Sequence, residues 1–136
     1  MNRWLRLKRE SKGSAAVEFA LFLPVLLMLI FGVIELGSAW YARQMLVNAS
    51  REGARYGILY SSSGITDADV EAYVENILSQ AGFPAQAEVV STGAGGGPGT
   101  LVEVQVSSQY RFPVLSSLTS SLGTVNLHAA TVMRHE

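Results

Sequence analysis

The chain has 136 residues, enough for about one domain, and it has no cysteine, which excludes a disulfide framework and a thiolate metal site. Its net charge of −1 hides an asymmetry. Arg3, Arg6, Lys8, Arg9 and Lys12 crowd the first twelve positions against Glu10 alone, whereas from Ser14 onward five arginines and no lysine face ten carboxylates. A basic cluster with only Trp4 as an aromatic, set directly before an apolar run, is a membrane-topology signal rather than a nucleic-acid interface.

Residues 19–34 (FALFLPVLLMLIFGVI) carry no charge. With residues 14–18 the apolar stretch makes a helix of roughly 30 Å, the thickness of a bilayer core. A buried core helix would show a polar face, and this stretch shows none. It is read as a transmembrane helix, with the basic cluster holding the N-terminus in the cytoplasm and everything after Gly37 exported. A cleaved secretory signal fits poorly. The apolar run is too long, and the one small-x-small site, at residues 37–39, follows Glu35 inside continuing helix.

Glu18 lies at the start of this run. On the residues alone two readings stay open, an interfacial carboxylate reaching headgroup water or a functional group held at the membrane edge. Pro24 predicts a kink, through the hydrogen bond it removes. Glu35 reads as marking the far interface or as a contact between subunits, and Trp40 and Tyr41 beyond it suit an aromatic belt. Gly32 and Gly37 are five apart and do not form a GxxxG face.

The helix is expected to continue to about Tyr60, giving a rod of roughly 70 Å from Ser14. Ala39, Ala42, Met45, Leu46, Ala49 and Ala54 form its apolar side. Arg43, Asn48, Arg51, Glu52 and Arg55 form a polar side, with Glu52 and Arg55 placed for a local ion pair. Gly53 and Gly57 weaken the helix but admit another element at close range.

Residues 61–64 (SSSG) read as a loop, after which Thr66 is a helix N-cap with Asp67, Asp69 and Glu71 in the first turn. Capping explains these acids better than calcium, because the glycine turn and distant glutamate of a calcium loop are missing. Val70, Tyr73, Val74, Ile77 and Leu78 form an apolar stripe that Gly82 and Pro84 end. Residues 87–92 read as a short strand, and the connection GAGGGPG at 93–99 opens no helix and makes no phosphate cradle. Residues 101–112 alternate, with Val102, Val104, Val106, Tyr110 and Phe112 on one face, as do residues 125–133, with Val125, Leu127, Ala129, Thr131 and Met133. Between them, Leu115, Leu118 and Leu122 suit one or two helical turns or a packed loop. The fold class is α+β: a long transmembrane and amphipathic helix, a second short helix and a small antiparallel sheet of three or four strands. No nucleophile motif or metal-ligand spacing is present, and His128 and His135 are the only histidines. The chain is therefore expected to be no enzyme, with no cofactor and no small-molecule substrate.

Two stretches, GSAAVEFALFLPVLLMLIFGVIELG (13–37) and NASREGARYG (48–57), resemble the TadE-like family of tight-adherence (Flp, type IVc) pilus systems, within the wider type IV pilin class. The resemblance covers about residues 13–57. It implies a pilin-like minor subunit or pseudopilin, made as a precursor and cut by a prepilin peptidase between Gly13 and Ser14. That divides the chain into a cytoplasmic leader (1–13), a transmembrane helix with a periplasmic extension (14–60) and an exported α+β domain (61–136). It implies that Glu18, with Phe19 after it, pairs with the new amine at Ser14. It also makes Arg51, Glu52 and Arg55 candidate contacts, with other pilin-like subunits and the assembly platform of the bacterial inner membrane as partners. Two alternatives are an uncleaved single-pass assembly or scaffold protein, and a signal-anchored periplasmic enzyme or binding module.

Overall fold

The computed structural model describes residues 3–118 and 123–136, with residues 3–12 and residue 118 as backbone only. In chain order the elements are α1 (Arg3–Leu59), a 3-10 turn (Ser61–Ser63), α2 (Asp67–Gln80), β1 (Ala87–Thr92), β2 (Leu101–Arg111), α3 (Leu115–Leu118) and β3 (Thr124–Arg134). They form two compact units, Met1–Leu36 and Gly37–Glu136, and α1 contributes to both.

The first unit is helix alone. α1 begins at Arg3 rather than at Ser14, so the basic stretch from Arg3 onward is helical as well. Leucine, arginine, lysine and glutamate are good helix formers, and the single Gly13 weakens the helix by only about 1 kcal/mol. The helix persists on both sides of Pro24, whose ring nitrogen cannot donate to the carbonyl of Ala20.

The second unit gathers residues 37–59 of α1, α2 and a three-stranded antiparallel sheet in the order β1-β2-β3. The α1 residues expected on the apolar side, Ala39, Ala42, Met45, Leu46, Ala49 and Ala54, are all buried. They meet Val70, Val74 and Leu78 of α2 and the inward row Val102, Val104, Val106 and Tyr110 of β2, with Leu127 and Ala129 of β3. Strand alternation therefore placed the inner and outer faces of β2 and β3 correctly.

Two glycines set how closely α1 lies. A Cβ on Gly53 would run into Val74 of α2 and come within 3.4 Å of Val104 of β2. A Cβ on Gly57 would come within 2.9 Å of Val102 and 3.5 Å of Val70. From Gly53 to Gly57 the neighbours step back from Val104 to Val102 and from Val74 to Val70. Four helix residues and two strand residues both advance about 6 Å, so this part of α1 runs alongside β2 and antiparallel to it and to α2. Ser50, fully buried, fastens α1 to β3 by a 2.8 Å hydrogen bond between its hydroxyl and that of Thr131. Tyr56 of α1 stacks on Tyr73 of α2 with ring centroids 4.2 Å apart.

α2 starts where expected, and Thr66 and Asp69 form a reciprocal capping box. The Thr66 backbone N–H donates to Asp69 Oδ2 at 2.8 Å, and the Asp69 N–H donates to Thr66 Oγ1 at 3.4 Å. The other two acids do more than cap. Asp67 Oδ1 accepts from the Ala94 N–H at 2.9 Å and the Ser91 hydroxyl at 3.2 Å, and Glu71 Oε1 accepts from the Ser91 N–H at 2.9 Å. Sequence-local reasoning sees the helix dipole but not the strand that folds back beside it. The expected ion pair between Glu52 and Arg55 is not formed. Both side chains point into water, where such a pair gains little. Of the ambiguous segment, Leu115–Leu118 is one helical turn, and Leu122 lies outside the described residues.

Two outcomes follow. Gly53→Ala is expected to destabilise the second unit by about 1–2 kcal/mol in denaturant melts followed by Trp40 fluorescence, the overpacking outweighing the gain in helix propensity. The Thr66 backbone N–H, and then its hydroxyl, hold the Asp69 carboxyl below the usual carboxylate range. That contribution is present above the unfolded carboxylate pKa and is lost as pH falls through the lower folded value. Thermal midpoints recorded from about pH 5 downward should fall for the natural chain, with a shallower fall in Asp69→Asn.

Candidate functional site: the uncovered apolar helix and its carboxylates

The helix between Val17 and Leu36 exposes its large apolar side chains on every side: Phe19, Leu21, Phe22, Val25, Leu29, Val33 and Leu36 are all more than 60% accessible. It is the one described helix long and apolar enough to cross a membrane, and none of its most apolar window is buried. A soluble core helix would be covered. This one meets the requirement for lipid instead, with every backbone polar group satisfied within the helix apart from the break at Pro24.

The carboxylate at its start has a neighbour one turn back. The Ser14 hydroxyl donates to Glu18 Oε1 across 3.5 Å, a long contact that places residue 14 and the carboxylate on one face of α1. Gly13, immediately before, has nothing within 4 Å of the position of a Cβ, so the backbone there is open to approach. Phe19 is 63% exposed.

The second carboxylate behaves differently. Glu35 is buried, at 5% exposure, and has a partner. No signal in the local sequence separates it from an interfacial charge. Trp40 and Tyr41 are exposed, and the Arg43 guanidinium lies over the Trp40 ring, 5.8 Å from its centroid. Arg51, Glu52 and Arg55 are exposed together on one side of α1, while Gly53 and Ala54 between them are buried. REGAR is therefore a two-sided motif, with small residues packing inward and charges presented outward. Among the described residues no group of His, Asp or Glu is arranged to hold a metal. His128 is exposed on β3, and the His135 N–H extends the ladder to the Thr100 carbonyl at 2.9 Å.

An uncovered apolar helix followed by a helix-on-sheet α+β unit defines a membrane-associated protein of pilin-like layout. The family comparison is more particular: residues 13–55 match the family model described as TadE-like protein, so the chain carries a TadE-like segment. The matched span holds Gly13, Ser14, Glu18, Pro24, Glu35 and the REGAR stretch, and the sheet lies outside it. No curated protein and no solved structure matches the chain.

The chain should remain in the membrane pellet after alkaline carbonate washing. Leu26→Asp with Ile30→Asp, each placing a charge that costs about 3 kcal/mol near the bilayer centre, should release it to the supernatant.

Proposed function

We propose that the chain is a structural, non-catalytic subunit of a tight-adherence pilus or a related secretion machine, a minor pilin or pseudopilin. It is inserted in the inner membrane with its N-terminus cytoplasmic and residues after Gly37 exported, and a prepilin peptidase cleaves it after Gly13. The observation that carries this reading is the juxtaposition of Gly13, Ser14 and Glu18 at the head of an uncovered apolar helix, inside the TadE-like match.

The chemistry gives Glu18 a purpose. Hydrolysis of the Gly13–Ser14 bond leaves a carboxylate on the leader and an ammonium on Ser14. Lys8 and Lys12 depart with the leader, so that ammonium is the only primary amine left. One turn away, or at matching depth on a neighbouring subunit, Glu18 pairs with it. In a low-dielectric setting a made pair is favourable and a half-made one is costly, which makes it a register device for helices packing side by side. Pro24 serves as a local kink in that packing. Glu35, Arg51, Glu52 and Arg55 supply contacts to neighbouring subunits or the assembly platform.

A second reading is an uncleaved single-pass scaffold. It is favoured by the unbroken helical backbone across Gly13–Ser14, since a peptidase requires that bond to be drawn out of the helix. Intact mass and N-terminal sequencing of the protein, from membranes of cells with and without prepilin peptidase, decide between them. A chain beginning at Ser14 only when the peptidase is present is the expected result. A chain beginning at Met1 in both strains overturns the pilin reading and leaves the scaffold.

A further inference from the structure

The two edges of the sheet are finished in opposite ways. The bonds from the Phe112 N–H to the Gly123 carbonyl and from the His135 N–H to the Thr100 carbonyl continue the β2–β3 register at both ends. Hydrogen-bonded pairs alternate along an antiparallel ladder. Val125, Leu127, Ala129, Thr131 and Met133 therefore exchange bonds with β2, and Thr124, Asn126, His128, Ala130, Val132 and Arg134 turn their N–H and C=O groups outward. The same alternation carried across β2 turns Ala87, Val89 and Ser91 of β1 outward, which agrees with the Ser91 N–H reaching Glu71.

The β1 edge is short and closed. It has six residues, and Asp67 and Glu71 of α2 hold its Ser91–Ala94 end. The β3 edge has eleven residues in unbroken register, with no proline, no lysine and no bulge, and its outward amides have no partner among the described residues. Natural sheets blunt long edges with those very devices. Here they are found on one side only.

We propose that the β3 edge is an acceptor for an extended segment of a different polypeptide, joined to it by backbone hydrogen bonds. Both homotypic occupants meet an obstacle. Head-to-tail pairing would set β3 against β1 of the next copy, whose edge the α2 carboxylates already occupy. Two-fold pairing of β3 with β3 would bring Arg134 a strand that carries no carboxylate. The acceptor surface also states the partner's chemistry. The half-buried side chains of Val125, Thr131 and Met133 call for apolar residues at alternate positions. The exposed Arg134, with no ion-pair partner among the described residues, calls for a carboxylate at that end.

The inference rests neither on the membrane-anchored reading of α1 nor on cleavage at Gly13. Its test uses the full chain in its own membranes, with a photoreactive benzophenone side chain in place of Asn126. The disrupting variants are Ala130→Pro and Val132→Pro, which each remove one outward N–H and spare the ladder to β2. The expected result is an adduct whose mass is not that of two copies and which maps to one extended stretch of the partner. Each proline variant should reduce its yield about tenfold or more, with the thermal midpoint nearly unchanged. A two-copy adduct, an adduct that survives both prolines, or no adduct overturns the proposal. Loss of the folded sheet in both proline variants overturns the assignment of outward amides and the proposal with it. A two-copy adduct from a chain that resists carbonate extraction sinks this inference alone, whereas the same adduct from an extractable chain sinks the anchor as well.

Discussion

The second unit depends on the close seating of α1 against α2 and β2 at Gly53 and Gly57. Two positions without side chains, one turn apart, let Val70, Val74, Val102 and Val104 touch the helix backbone. That contact sets the direction of α1 along the strands. It brings Ser50 to Thr131 and Tyr56 to Tyr73, and it leaves Arg51, Glu52 and Arg55 on the outside. The glycines weaken the helix locally, and the packing they admit outweighs that weakness.

The same helix meets two different solvents. Up to Leu36 its large apolar side chains lie uncovered, while from Ala39 to Ala54 small residues and a few larger ones are buried under α2 and the sheet. The change is written in side-chain size. Phenylalanine and leucine on every side suit lipid, whereas alanine and glycine on one side suit close contact with protein.

The acids of α2 illustrate how one short stretch serves two purposes. Asp69 closes the helix N-terminus with Thr66, and Asp67 and Glu71 reach across to Ser91 and Ala94. Together they order the start of the helix and occupy the edge of β1. With that edge closed and the β3 edge open, the sheet has a direction in which it can be extended.

Periodicity and composition alone determined the apolar span, the amphipathic continuation of α1, the N-cap at Thr66 and the inward faces of α2, β2 and β3. Each of these follows from local side-chain chemistry repeated at 3.6 or 2 residues. The stretches GSAAVEFALFLPVLLMLIFGVIELG and NASREGARYG together pointed to the family whose model residues 13–55 match. Tertiary structure decided the rest. It turned Asp67 and Glu71 from capping groups into a clasp on β1, left Glu52 and Arg55 unpaired, and made Ser50 a cross-element link. Those outcomes depend on which distant segment arrives alongside, and neither propensity nor periodicity carries that information.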